Sequence, residues 1–209
     1  MYECATFFLK KLLGIKFSEL LRVGFLLILL IPLQGCLNAA MTSAQAFYNR
    51  HGLQKNLNDQ YITIQAYQAL NSNSQFKDAN IAIATYNNEV LLVGQTPQFW
   101  QKAEAERIVK KIPDVERIYD TITIASPSST LTRISDSWIT TKIKAKLLVS
   151  ADVDATKVKV VTENSTVYLM GILLPDEASA ALDLANATDG VVNVVNLFSY
   201  INITRRAVS

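Results

Sequence analysis

An internal repeat constrains the fold of this chain more than any other feature of its sequence. The stretch from Asp59 to Thr63 reads DQYIT, and the stretch from Asp136 to Thr140, 77 residues later, reads DSWIT. The same offset relates five further apolar pairs and one pair of glycines: Leu70 with Leu147, Ile81 with Val158, Ile83 with Val160, Val90 with Val167, Leu92 with Leu169, and Gly94 with Gly171. Near the end of each copy the offset becomes 76, relating Val115 with Val191, Ile118 with Val194, and Asp120 with Asn196. We therefore predict two copies of one structural unit of about 70 residues, called the first and second modules.

Each module begins with a predicted helix and a predicted β-hairpin. Apolar residues at a spacing of four indicate the helix; they are Ile62, Ala66 and Leu70 in the first module and Ile139, Ile143 and Leu147 in the second. Two apolar runs then flank the turn residues Asn87-Asn88 or Asn164-Ser165, which is typical of a hairpin. Gly94 and Gly171 are expected to end its second strand.

A second helix and a last strand complete each module. Pro97 and Pro175 suit the first turn of the second helix. The second helices are expected at 100–111 and 177–187, and the last strands near 118–124 and 194–201. The order α-β-β-α-β predicts an α/β (α+β) fold class with two helices on one face of a three-stranded mixed sheet. A right-handed crossover through the second helix would leave two of the strands parallel.

The front of the chain carries most of its excess hydrophobicity. The mean hydropathy is +0.18, and an uncharged run of 11 residues at 23–33 follows four basic residues. Such a run is too short to cross a bilayer, so 1–35 is predicted to be a signal peptide. It leads directly into Leu33-Gln34-Gly35-Cys36, which resembles a lipobox and predicts diacylglyceryl and N-acyl groups on Cys36. The alternatives are a transmembrane anchor, or a chance cysteine after an ordinary signal peptide.

The charge and the reactive residues of the remaining chain argue against several classes of function. Residues 36–209 carry 16 basic and 16 acidic residues, so no basic excess points to a nucleic acid. One histidine, His51, and one cysteine, Cys36, cannot build a catalytic triad or a metal site, and no glycine-rich loop indicates a nucleotide. We therefore expect a non-enzymatic protein without a cofactor, a metal or a small-molecule substrate. Four further aromatic residues are expected in the core or in strand pairs: Trp100, Tyr168, Phe198 and Tyr200.

The first helix of the second module shows the strongest functional signal. Opposite its apolar stripe lie Trp138 and Lys142, with Leu148 on the flank, and no acidic residue occurs from Ser137 to Ala151. Lys144 and Lys146 add positive charge. An indole beside lysines suits a helix that lies on an anionic membrane surface. The alternative is that Trp138 packs against the linker or the first module, and that the lysines are an ordinary solvated face.

Three features of the sequence together resemble the BON domain. They are the α-β-β-α-β order of the predicted elements, the glycines Gly94 and Gly171, and the stretch from Gly190 to Asn196, which reads GVVNVVN. Two such domains behind a lipobox resemble the dual BON-domain outer-membrane lipoproteins of Gram-negative bacteria, and the resemblance covers residues 24–203. Leu37, where an aspartate would retain a lipoprotein at the inner membrane, implies the outer membrane and its periplasmic face.

The resemblance implies a function in the cell envelope. Members of this family are understood to bind anionic phospholipid through the first helix of the second domain. Carried over by position, the lipid-binding candidates are Trp138, Lys142, Lys144 and Leu148, and Lys146 is added from its charge alone. A role in envelope integrity, and at division sites, is expected. The alternative is a periplasmic adaptor for a protein partner from outer-membrane assembly or peptidoglycan machinery, in which Trp138 would anchor the interface.

The sequence is thus divided into six segments: a signal peptide at 1–35, a lipidated tether at 36–57 with a short helix, BON domain 1 at 58–125, a linker at 126–133, BON domain 2 at 134–203, and a tail at 204–209.

Overall fold

The structure, a computed structural model, describes residues 43–201, with side chains from Lys55 onward. The predicted signal peptide at 1–35, the lipidation residue Cys36, the side chain of His51 and the tail at 204–209 lie outside the described residues. Within the described part of the chain, no helix combines the length and the apolar character that a membrane crossing requires.

Both modules contain the elements α-β-β-α-β in that order. The first comprises α1 (Ser43–Asn71), β1 (Asn80–Tyr86), β2 (Glu89–Thr96), α2 (Phe99–Val109) and β3 (Arg117–Ile124). The second comprises α3 (Thr130–Val149), β4 (Val158–Glu163), β5 (Thr166–Leu173), α4 (Pro175–Asn186) and β6 (Asn193–Tyr200). The predicted fold class is confirmed.

Each module has one three-stranded mixed sheet with the hairpin's second strand in the centre. β2 pairs antiparallel with β1 and parallel with β3, so that Leu92 lies opposite both Ile83 and Asp120. β5 is likewise antiparallel to β4 and parallel to β6. The parallel pair requires a crossover connection, which α2 and α4 supply.

A buried aspartate joins the hairpin turn of each module to its first helix. The turn residues Asn87 and Asn88 have positive φ angles of 51° and 66°, as the two central residues of a type I′ turn must have. Their two backbone N–H groups donate to the carboxylate of Asp59, each at 2.8 Å. In the second module Asp136 accepts the same two bonds from Asn164 and Ser165, also at 2.8 Å. This shared role explains why both copies of the repeat begin with aspartate.

A separate core fills the space between the helices and the sheet of each module. In the first module the predicted helix stripe is buried together with Val90, Leu92 and Ile122. In the second module the corresponding stripe is buried with Val160, Val167 and Leu169. The side chains of the central strands alternate between the two faces of the sheet, so these residues account for only one face.

The other faces of the two sheets pack against each other. Their contact is built from Ala84, Leu91 and Val93 of the first module and from Tyr168 and Met170 of the second, which are all at most 8% exposed. The central strands β2 and β5 are therefore buried on both faces. The described modules form four layers in the order helices, sheet, sheet, helices.

A polar contact closes one end of this sheet interface. One oxygen of the Glu163 carboxylate accepts hydrogen bonds from the side chains of Gln95 at 2.8 Å, Ser128 at 3.2 Å and Asn80 at 3.3 Å. Glu163 is 9% exposed, so its charge lies at an almost dry boundary and is balanced by three donors. These bonds tie the second module to the first and to the linker.

The helix boundaries differ from the expected ones at two places. α1 begins at Ser43, so one helix of 29 residues replaces the short helix expected in the tether. Residues 43–57 hold no proline and one glycine, which leaves little to interrupt a helix. α3 begins at Thr130, inside the stretch expected to be linker, because the Ser129 side chain accepts the backbone N–H of Thr132 as an N-cap.

Some expectations for single residues were wrong. Gly94 and Gly171 lie two residues before the ends of their strands and do not end them. Pairing of β2 with β1 and β3 continues past Gly94, and pairing of β5 with β6 continues past Gly171. Trp100 is not in the core: it lies on the outer side of α2 and is 48% exposed. Tyr168 and Phe198 are buried as expected, whereas Tyr200 takes part in strand pairing but is 49% exposed.

Candidate functional site

One face of α3 presents several large apolar side chains to solvent. At 100° per residue, they span less than half of the helix circumference. They are Leu131, Ile134, Trp138, Leu148 and Val149, whose exposed fractions range from 62% to 84%. We call these five residues the apolar row. Large apolar side chains are common at a surface singly, whereas five on one face of a single helix indicate an interaction site.

The opposite face of α3 holds the helix rigidly on its own module. Ile139, Ile143 and Leu147 are at most 2% exposed in the second core. Asp136 is 3% exposed and binds the hairpin turn, and Thr140 Oγ1 donates to Thr162 Oγ1 at 2.8 Å. Trp138, which is 64% exposed, therefore projects from a fixed helix and is not needed for packing. The alternative in which Trp138 is buried against the linker or the first module is wrong.

The three lysines of α3 have different surroundings. The ammonium groups of Lys142 and Lys146 donate to the backbone carbonyls of Asp189 and Ala187, just beyond the end of α4. Carbonyls at a helix C-terminus carry partial negative charge, so these two lysines also stabilise the contact between α3 and α4. Within the described chain, Lys144 makes no hydrogen bond or ion pair and is exposed. Lys144 is therefore the lysine best placed to meet an external anion.

The matching helix of the first module has a different surface. Tyr61 stands at the position of Trp138 and is 50% exposed, and Ile64 and Tyr67 are 51% and 56% exposed. No charged residue occurs from Gln60 to Phe76. The repeat thus provides one helix with an apolar and cationic surface and one whose second half, from Gln60 onward, has an uncharged aromatic surface.

Among the described residues, no group of three or more His, Cys, Asp or Glu side chains could hold a metal ion. Two carboxylates close to α3 are engaged in structure, since Asp136 binds the hairpin turn and Glu163 binds the polar contact between the modules. The arrangement favours contact with a surface or a partner.

Comparison with known proteins identifies the module. The family model described as BON domain matches the chain twice, over residues 58–126 and 135–202. The chain belongs to the BON-domain family. These two matches coincide with the two copies of the repeat and with the two sheets of the structure, so each module is one BON domain.

Three curated relatives match this chain over most of their length. The outer membrane lipoprotein DolP of Haemophilus influenzae is 32% identical over 191 residues, which cover 88% of this chain and 98% of the relative. The 21 kDa hemolysin of Actinobacillus pleuropneumoniae is 36% identical, covering 69% and 75% of the two chains. Osmotically-inducible protein Y of Escherichia coli is 30% identical, covering 67% and 71%. The chain is thus a dual BON-domain protein similar to DolP.

Two members of the apolar row are not among the candidates predicted from the sequence. Leu131 lies in the expected linker, and Ile134 is the first residue of the expected second domain. Their spacing of three and then four residues before Trp138 places them on one helix face, which is the signal that could have found them.

Proposed function

We propose that this protein is a non-enzymatic lipoprotein of the outer membrane that binds anionic phospholipid through α3. In this proposal acyl groups on Cys36 hold the chain at the periplasmic face of the membrane, and the apolar row and Lys144 contact the lipid surface. The relative named outer membrane lipoprotein DolP, matched over 98% of its length, supports the location. Support for envelope integrity, including at division sites, is part of the same proposal.

The observation that carries the proposal is the apolar row together with its flanking charges. Trp138 presents an indole to solvent beside aliphatic side chains, and an indole is favourable at the depth of lipid headgroups. Each lysine near an anionic surface contributes about 1 kcal/mol. Such a surface binds weakly and reversibly, which suits a protein whose acyl chains already hold it near a membrane.

Replacing Trp138 by glutamate is expected to lower vesicle binding about tenfold or more. The substitution removes the interfacial indole and adds a charge that anionic headgroups repel. Because Trp138 is 64% exposed, the fold should be unaffected. The measurement is flotation of a soluble form lacking residues 1–36 with vesicles of phosphatidylglycerol and phosphatidylcholine, compared with pure phosphatidylcholine, at low and high salt.

The internal repeat provides a matched control for this experiment. Tyr61→Glu places the same charge at the equivalent, half-exposed position of α1 and should leave flotation unchanged. Equal flotation with both kinds of vesicle would contradict the preference for anionic lipid. An unaffected Trp138→Glu variant, or an equal loss in Tyr61→Glu, would contradict the role of α3. An unaffected Trp138→Glu variant would favour the adaptor function, with the exposed aromatic face as the protein contact.

Replacing Cys36 by serine is expected to move the protein from the membrane fraction to the soluble periplasmic fraction. A serine hydroxyl does not take the diacylglyceryl group, and each buried CH₂ of a lost acyl chain had contributed about 0.8 kcal/mol. Fractionation of cells measures the change of location, and mass spectrometry of the intact protein measures the loss of the acyl groups. A Cys4→Ser variant is the control and should keep both the acyl mass and the membrane location. Membrane location of the Cys36 variant equal to that of wild type would contradict the anchor.

A further inference from the structure

The last strand of each module lies at the edge of its sheet. β3 pairs only with β2, and β6 pairs only with β5. In a parallel ladder alternate residues bind the neighbouring strand, and in β6 this set continues to Ile201, whose N–H donates to the Leu173 carbonyl at 3.0 Å. The residues whose backbone groups point away from β5 are therefore Val194, Asn196, Phe198 and Tyr200. Such a row of N–H and C=O groups is a template on which another strand can pair.

Charged side chains protect this edge in the first module. Lys102 of α2 donates to the outward carbonyl of Ile122 at 2.7 Å, and the Asp120 carboxylate accepts the Ile122 N–H at 3.0 Å. Lys102 and Asp120 also form an ion pair with each other at 3.6 Å. Both outward groups of Ile122 are thus satisfied within the module, and the charges lie where another strand would have to approach. Charged residues at a sheet edge disfavour pairing with another strand.

The corresponding edge of the second module has no such charges. Asn196 stands where the first module has Asp120, and its side-chain oxygen accepts the Phe198 N–H at 2.9 Å. α4 has no lysine or arginine to match Lys102, and no charged residue occurs in the sequence from 190 to 203. Apart from the Phe198 N–H, the outward backbone groups of β6 make no hydrogen bond within the described chain. The two modules have therefore diverged at this edge, which is charged in one and uncharged in the other.

The residues along β6 are complementary to a second copy of the same strand. If two copies run antiparallel about a twofold axis at Asn196, Val194 of each lies opposite Phe198 of the other, and Val192 lies opposite Tyr200. Val192 is 82% exposed and Tyr200 is 49% exposed, so the pairing covers an exposed apolar side chain at each end of the strand. β-Branched and aromatic residues are favourable cross-strand partners. At the axis, two neutral Asn196 side chains meet without repulsion.

We propose that β6 is a dimerisation edge, which pairs antiparallel with β6 of a second copy of this chain and joins two three-stranded sheets into one of six strands. A twofold contact of this kind uses the same surface on both copies and closes with two. The Phe198 N–H then exchanges the Asn196 side-chain oxygen for the Val194 carbonyl of the second copy. One strand pair buries less area than a standard interface, so monomer and dimer are expected to interconvert. The inference goes beyond the proposed lipid binding, because neither the apolar row nor Cys36 takes part in the contact.

The test measures the mass of the full-length protein in neutral maltoside micelles by native mass spectrometry over a concentration series. Wild type should convert from monomer to dimer as the concentration rises. Asn196→Asp should raise the Kd of the dimer about tenfold or more, because it places two carboxylates opposite each other at the axis. Its fold should be kept, since the Asp120 carboxylate already accepts the matching N–H in the first module. Asn186→Asp adds the same charge at the exposed end of α4 and should leave the Kd unchanged.

Cross-linking in cells identifies the strand that makes the contact. An Asn196→Cys variant treated with a short bismaleimide should give a species of twice the monomer mass. Wild type and a Thr123→Cys variant, which carries its thiol on the edge strand of the first module, are the controls and should not. Wild type that stays monomeric at every concentration, or a dimer that Asn196→Asp leaves as tight as Asn186→Asp does, would overturn the proposal. Cross-linking of the Asn196→Cys variant to a different protein, and not to itself, would overturn the second copy as the partner of β6.

Discussion

Replacing Gly94 by alanine is expected to destabilise the protein by about 3 kcal/mol or more. A Cβ atom at this position would lie 2.0 Å from the carbonyl oxygen of Asn80 and 3.0 Å from its carbonyl carbon. These are backbone atoms of β1, the partner of β2, and cannot move aside as a side chain can. The φ angle of Gly94 is also +130°, which an alanine adopts only with strain.

Thermal and urea unfolding followed by circular dichroism measure this effect. A loss of about 3 kcal/mol lowers Tm by about 10 °C in a domain of this size. Gly171→Ala should be similarly severe, because its Cβ would lie 2.4 Å from the carbonyl oxygen of Lys157. Gly190→Ala is the milder control: its φ angle of +96° also strains an alanine, but its Cβ would meet only the Ile139 side chain, at 3.2 Å, and no backbone atom. A Gly94→Ala variant no less stable than Gly190→Ala would contradict the account of the close approach.

Local sequence patterns predicted the modules well because each pattern has one dominant physical cause. The spacing of Ile139, Ile143 and Leu147 leaves no other way to bury all three than on a helix face. Adjacent residues such as Asn87 and Asn88 tolerate positive φ angles, which a two-residue hairpin turn requires. The parallel pairing of β2 with β3 then follows from the single helix between them.

The packing of the two sheets was not predictable from these patterns. β2 reads Val90, Leu91, Leu92, Val93, and such an unbroken apolar run indicates a strand buried on both faces. The run does not say what covers the second face, which is Tyr168 and Met170 of the other module. A contact between residues far apart in the chain leaves no periodic signal in either segment.

The candidate site was predictable where it depends on helical spacing and not where it depends on contacts between distant residues. Helical spacing placed Trp138 opposite the core of its module, and the structure exposes it there. Lys144 differs from Lys142 and Lys146 because the latter two bind carbonyl groups beyond α4, which are more than 40 residues away in the chain. Charge counting along the helix treats the three lysines alike, and only the tertiary structure distinguishes them.

Replacing Asp136 by alanine is expected to cost about 2 to 4 kcal/mol of the free energy of unfolding. The carboxylate is 3% exposed and accepts the backbone N–H groups of Asn164 and Ser165, each at 2.8 Å. Both donors belong to a turn in which the two residues have positive φ angles, so the turn cannot easily rearrange to satisfy them elsewhere. Two N–H groups at a partly buried site would lose their partners.

Urea unfolding of three variants tests this role of the carboxylate. Asp136→Asn should have a free energy of unfolding between those of wild type and Asp136→Ala, because its amide oxygen can accept one bond while its NH₂ group faces the second donor. Asp59→Ala removes the same two bonds from the turn at Asn87 and Asn88 and should cost a similar amount in the first module. Asp152→Ala alters an exposed aspartate and should change stability by less than about 0.5 kcal/mol. If Asp136→Ala were as stable as Asp152→Ala, water would be satisfying the turn, and the aspartate that opens both repeats would need another explanation. A loss in Asp136→Ala but not in Asp59→Ala would instead mean that only the second module depends on this link, even though the geometry is the same in both.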